Sequence, residues 1–154
     1  LQNSKITLAK LSSKYQFDLF FDEFLVGCKI IVKKNGDRGQ SVENLMKLGW
    51  TLGQSPTGYV LVAVQEKKLV GFFIANCIPD KNVAWIEIIA LWGRPGIFKK
   101  VQKPALEHFE KWAKSMTAKS MFAGIIRSPE KFYQKFYKPL GFKKIGYIVE
   151  RKVS

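Results

Sequence analysis

Two side chains of this sequence sit where acid–base chemistry could be built. Glu87 is the one acid in the apolar run Val83-Ala84-Trp85-Ile86-Glu87-Ile88-Ile89-Ala90-Leu91. If such a carboxylate is buried among Trp85, Ile86, Ile88 and Ile89, desolvation disfavours its charged form and raises its pKa toward that of a general base. The alternative is a structural Glu hydrogen-bonded to backbone or to an Arg. Tyr137 closes the aromatic cluster Phe132, Tyr133, Phe136 and Tyr137, and its phenol can give or hold a proton. The alternative there is a core aromatic at helical spacing, with Tyr133 one turn earlier on the same face. Asp80, on a turn, is a weaker acid–base candidate.

Other chemistries are excluded by residue type. His108 is the only histidine, which rules out a multi-histidine metal site; between Glu107 and Glu110 it reads as a structural or surface residue. Cys28 and Cys77 fit no metal or redox spacing and read as buried free thiols in a reducing compartment. No Ser-His-Asp, Cys-His, paired-carboxylate or P-loop arrangement is present, and no metal site is expected.

Lysine dominates the charged residues, and the net charge is +14. Residues 1–98 hold 12 Lys/Arg against 8 Asp/Glu, whereas residues 99–154 hold 14 against 4. A basic half attracts nucleotide phosphates, nucleic acid, acidic proteins or anionic surfaces; simple solvated lysines are the bland alternative. The apolar fraction of 47% fits a globular chain, and 154 residues suit one domain, 1–154, with a proper core. No apolar run reaches the ~20 residues of a membrane span, and no secretory signal is expected. The cytoplasm is the expected compartment.

These candidates must be positioned by regular elements. Ile6-Thr7-Leu8 suits a short strand. Tyr15 to Lys34 carries apolar residues at helical spacing, with a turn to strand near Lys29 to Val32. Asn35 to Gln40 is loop chemistry. Ser41 suits an N-cap for a short helix through Leu48, stopped by Gly49. Tyr59 to Gln65, Leu69 to Asn76 and Val83 to Leu91 read as three meandering strands. Their connections are Glu66-Lys67-Lys68 and Pro79-Asp80-Lys81-Asn82. The near-continuous apolar character of the third suggests cover on both faces. After Gly93-Arg94-Pro95-Gly96 a helix is expected from Val101 or Pro104 to about Met116, with Pro104 in its first turn. Met121 to Arg127 suits a strand. Ser128 and Pro129 open a further helix, Gly141 closes it, and Phe142 to Val149 suits the last strand.

The stretch Phe132-Tyr133-Gln134-Lys135-Phe136-Tyr137-Lys138-Pro139-Leu140-Gly141-Phe142 resembles the C-terminal motif of the GCN5-related N-acetyltransferases (GNAT superfamily). The order of elements is similar too, most strongly from Tyr59 onward. The resemblance implies an α/β (α+β) fold: a mixed central sheet with helices on both faces. It also implies that Leu91, Trp92 and Gly93 lie on a splayed strand whose backbone pairs with the pantetheine arm of acetyl-CoA. In the family, Arg/Gln-x-x-Gly-x-Gly/Ala at a helix N-terminus receives the pyrophosphate. The ungapped match here is Phe98-Lys99-Lys100-Val101-Gln102-Lys103, which lacks both glycines. Lys99, Lys100 and Lys103 then either bind phosphate by charge, beside Val101, or belong to a degenerate CoA site.

The implied function is transfer of an acyl group from acyl-CoA to an amine, with Glu87 as base and Tyr137 as acid. Basicity disfavours cationic acceptors such as aminoglycosides and suits an acidic peptide or a nucleotide-linked or tRNA-associated amine. The alternatives are a non-catalytic GNAT-like scaffold, for example packaged in a phage virion, and a nucleic-acid-binding module whose aromatics stack on bases.

Overall fold

The computed structural model describes residues 5–36, 39–80, 83–124, 129–146 and 151. Five strands form one sheet in the order of the chain: β1 (Thr7–Leu11), β2 (Gly58–Gln65), β3 (Lys68–Asp80), β4 (Val83–Gly93) and β5 (Ala118–Ala123). The pairs from β1 to β4 are antiparallel, and β5 joins β4 in parallel. β2 and β3 are linked by Glu66 and Lys67 alone. Both have positive φ, 52° and 64°, the twist a two-residue hairpin turn needs.

The sheet is covered on both faces, as the alternation of side chains requires. On one face Val60, Val62, Phe72, Ile74 and Trp92 pack against Leu11, Phe17, Phe24 and Leu45. The helices on that face are α1 (Lys14–Leu19), α2 (Phe21–Asn35) and α3 (Val42–Gln54). On the other face Leu61, Phe73, Ala75 and Ile86 pack against α4 (Ile97–Ser115) and the aromatic helix α5, which begins at Pro129.

Local chemistry accounts for several boundaries. The Ser13 and Ser41 side chains accept hydrogen bonds from the amides of Gln16 and Asn44, capping α1 and α3. α2 stays helical to Asn35, with no strand at Lys29 to Val32. Its N-terminal Asp22 and Glu23 and C-terminal Lys33 and Lys34 suit the helix dipole. α3 runs through Gly49, contrary to the expected stop. That glycine is a contact point: a Cβ there would lie 2.5 Å from Phe24 Cζ. At Gly27 of α2 a Cβ would lie 2.5 Å from Phe72 and 2.7 Å from Trp92, so α2 rests on β3 and β4 only because the side chain is absent.

Three further boundaries differ from expectation. α4 begins at Ile97, not at Val101 or Pro104, so Pro104 lies inside the helix. The N-cap is Gly96, whose φ of 83° suits glycine. β5 starts at Ala118, and its expected continuation at 125–127 lies outside the described residues. Residues 142–146 form no strand, and the remainder of that expected strand, like the Ser128 cap and the Lys81-Asn82 turn, lies outside the described residues. Cys28 and Cys77 are buried free thiols in the two opposite cores. Among the described residues no helix is long and apolar enough to cross a membrane.

Candidate functional site

On its β5 side, β4 is paired in parallel along its first half. The parallel pairing runs from Ala84 with Ala118 to Ile88 with Ala123 and goes no further among the described residues. On its other edge β4 has a bulge at the same level: Ala75 pairs with Ile88 and Ile74 with Ala90, leaving Ile89 as the extra residue. A bulge bends its strand and sharpens its twist. Ile89 to Gly93 line one wall of a cleft of about 450 Å3.

The cleft has an apolar interior and a cationic rim. β4 contributes Ile88 through Gly93, α2 contributes Ile30 and Ile31, and α5 contributes Phe132, Phe136 and Tyr137. Lys34 at the end of α2, Lys99 in the first turn of α4, and Lys131 and Lys135 of α5 also line it. No described lining residue is acidic. Four ammonium groups around a water-poor interior favour an anionic ligand with an apolar portion.

α5 is wound in three ways. Pro129–Phe132 is α-helical, Tyr133–Tyr137 is π-helical, and Lys138–Leu140 is a 3-10 turn closed by Gly141 at φ 87°. The wide turn sets Tyr133 and Tyr137 to different tasks. The Tyr133 hydroxyl donates to the Phe142 carbonyl at 2.9 Å, and Lys144 lies 5.1 Å from its ring. Tyr133 is not among the cleft residues. Lys144 also pairs with Glu130, holding the segment after α5 against its start.

Tyr137 is 4% exposed and lines the cleft. Its ring meets Phe132, Phe136 and Phe142 edge-on, at 5.7, 5.0 and 5.1 Å between centroids. Burial pushes its phenol up from the usual tyrosine value, so the group stays protonated. No buried side-chain polar atom lacks a partner among the described residues. The Tyr137 hydroxyl, which makes no hydrogen bond to a described residue, therefore keeps solvent contact.

Glu87 is elsewhere on β4. Ile86 and Ile88 point to the α4 face, so Glu87 projects from the opposite one. It is exposed, not buried among isoleucines, and it is not a cleft residue. Its register partner on β5 is Phe122, which is 36% exposed and meets Trp85 edge-on at 6.1 Å. The expected desolvation of Glu87 thus fails, because the helices covering that face do not extend over it. Asp80 is the last residue of β3. His108 is half-buried, with Nδ1 3.4 Å from the Tyr59 hydroxyl, a structural role as expected.

The expected cofactor residues divide. Leu91, Trp92, Gly93 and Lys99 line the cleft; Lys100, Val101 and Lys103 do not. The cause is the earlier start of α4. Val101 is one turn into the helix and buried in the core, while Lys100 and Lys103 point to solvent. Phe98, matched by position to an Arg or Gln, packs edge-on against Phe73 and Phe136, at 6.1 and 5.4 Å. The sequence reading missed the rim lysines 34, 131 and 135. Their signal was present: each lies one turn or less from an apolar cleft residue on its own helix. The aromatic residues are core, as their helical spacing suggested, and not a base-stacking surface: Phe136 and Tyr137 are buried and Phe132 and Tyr133 half-buried.

No protein-family model matches the chain, and no curated protein matches it in sequence. Solved structures do match, over nearly the whole length of both chains. The aminoglycoside N-acetyltransferase AAC(6')-Iy, in complex with the bisubstrate analogue CoA-S-monomethyl-acetylneamine, superposes with a TM-score of 0.71 at 13% identity, covering 98% of this chain and 99% of that one. A ribosomal-protein-alanine N-acetyltransferase from Brucella melitensis biovar Abortus 2308 gives 0.69 at 15% identity, over 97% and 100%. A putative acetyl transferase from Pyrococcus furiosus gives 0.68 at 18%, over 97% and 100%. Together with the sheet order, these superpositions show that the chain has the fold of the GCN5-related N-acetyltransferases.

Proposed function

We infer that this protein binds an acyl-CoA in the β4–β5 cleft and transfers the acyl group to an amine. The observation that carries the reading is the apolar cleft along Ile89 to Gly93 of β4, rimmed by four lysines. Those features fit the three parts of the ligand. Free strand amides and carbonyls suit the amide-bearing pantetheine arm. Lys99 at the start of α4, with Lys34, Lys131 and Lys135, suits the phosphates in place of a glycine loop. The apolar interior excludes water from the thioester. An acyl-CoA supplies an activated acyl group and a thiolate leaving group.

The chain's own residues have separable tasks on this reading. Tyr137 holds a proton on its phenol oxygen at the cleft wall, ready for the departing sulfur. Glu87, beside Ile88 on the same strand, takes a proton from the incoming ammonium, directly or through water; its exposure suits an acceptor that arrives from solvent. The AAC(6')-Iy and Brucella structures are of acetyltransferases, which supports the reaction class. The basic rim favours an acidic peptide or a nucleotide-linked amine over a polycation as acceptor.

Isothermal titration of acetyl-CoA tests the reading. Micromolar binding is expected, weakened about tenfold by Lys99→Ala, in line with loss of one charge-assisted contact. Lys103→Ala, outside the cleft, is expected to bind as the parent does. Absence of binding at millimolar acetyl-CoA sinks the proposal.

A further inference from the structure

Beneath the cleft lies a second, smaller hollow of about 20 Å3. It sits between the sheet, α4 and α5, with walls from Phe73, Ala105, Leu106, Phe109, Leu140 and Phe142. Ile88, Leu91, Gln102, Phe136 and Tyr137 belong to both the hollow and the cleft, so the two spaces share one wall. Only Gln102 and Tyr137 among the described lining residues carry side-chain polar atoms. A buried water needs about 10–15 Å3 of free space and two to four polar partners. An apolar hollow of this size therefore suits a methyl or methylene group better than water.

Tyr137 links this space to the chemistry. On the acyl-CoA reading, its phenol faces the thioester sulfur. The acyl carbon is bonded to that sulfur, so the acyl tail starts at the shared wall. We propose that the hollow receives the end of the acyl chain and sets the preferred donor at three or four carbons rather than two. The proposal rests on the acyl-CoA reading and adds the donor's length to it. An acetyl group leaves the hollow empty, and its lining then loses dispersion contacts. A longer chain meets the Phe73–Phe109 pair, edge-on at 5.9 Å. Both rings are buried and cannot yield without strain.

The experiment is isothermal titration of CoA and of acetyl-, propionyl-, butyryl- and hexanoyl-CoA into the parent and two variants. Ala105→Val adds bulk to the hollow; Leu140→Ala, at a half-buried position, enlarges it. Propionyl- or butyryl-CoA is expected to bind about fourfold tighter than acetyl-CoA, the factor for burying one methylene, with hexanoyl-CoA no tighter than butyryl-CoA. Ala105→Val should erase that advantage while keeping acetyl-CoA binding. Leu140→Ala should move the optimum to a longer chain, and it carries the comparison alone if Ala105→Val does not fold. Equal affinity for acetyl-, propionyl- and butyryl-CoA, with CoA itself bound, overturns the acyl pocket and leaves the acyl-CoA reading standing. No binding of any of the five overturns both.

Discussion

Tyr137 and Cys28 are both held neutral by burial, with different consequences. The Tyr137 phenol lines the cleft with its proton secured. Tyr137→Phe removes only the hydroxyl, so the proposed acid is lost while the ring packing stays. Turnover is expected to fall about 100-fold or more, the usual contribution of a general acid, with the titrated affinity for acetyl-CoA changed less than twofold. Cys28 lies in the core between α2 and the sheet, and desolvation raises its thiol from 9.0 to about 12. Above pH 9 an unfolded chain loses a proton that the folded one keeps. Stability is therefore independent of this group below pH 9 and falls as pH rises from about 9 toward 12. Denaturation midpoints measured from pH 8 to 11 should fall less steeply for Cys28→Ala than for the parent. Of the residues at the proposed site, neither Tyr137 nor Glu87 was fully legible in the sequence. Tyr137 was placed by the Gly141-Phe142 spacing after it. The exposure of Glu87 was not legible, because an apolar run says that a strand is covered, not which of its faces stays bare at each end.

At the scale of elements, the three central strands were readable, and the start of α4 and the end of α3 were not. β2, β3 and β4 are marked by β-branched and apolar runs between turn residues, and each is found within a few residues of its expected limits. α4 was misread because Pro104 is the usual sign of a first turn, whereas the true N-cap, Gly96, has no side-chain oxygen to announce itself. Gly49 was taken for a stop because glycine's role as a contact point depends on Phe24, which is distant in sequence. The interior proline is a liability that can be measured. Pro104 is exposed and has no N–H for the Lys100 carbonyl, and interior proline costs a helix about 3 kcal/mol relative to alanine. Pro104→Ala is expected to stabilise the fold by about 1–3 kcal/mol in urea denaturation, without changing ligand affinity. A loss of stability would mean that the proline enforces a bend the packing needs.

For the whole molecule, charge and topology act together. The net charge of +14 attracts anions at long range, and the rim lysines give that field a destination. Exposed charges are screened over about 10 Å at 0.1 M salt. Raising sodium chloride from 50 to 500 mM is expected to weaken acetyl-CoA binding at least fivefold, mostly through slower association. Salt-insensitive binding would show that the lysines do not contact the phosphates. This global field was plain from the lysine count. Its focus on the cleft was not, because Lys34, Lys99, Lys131 and Lys135 come from three helices that only the folded chain brings together.

The π-helical stretch at Tyr133–Tyr137 means that the cleft-facing phenol is set by how many residues precede it as well as by which ones. A π turn amounts to one residue inserted into an α-helix. Removing Gln134 would let α5 relax to ordinary winding with every other side chain kept. Each residue of an α-helix turns through about 100°. A further deletion, with no π turn left to absorb it, would rotate Tyr137 by about that angle, away from the cleft. In this protein the length of α5, beyond the one residue its π turn absorbs, is a functional property alongside the identity of Tyr137.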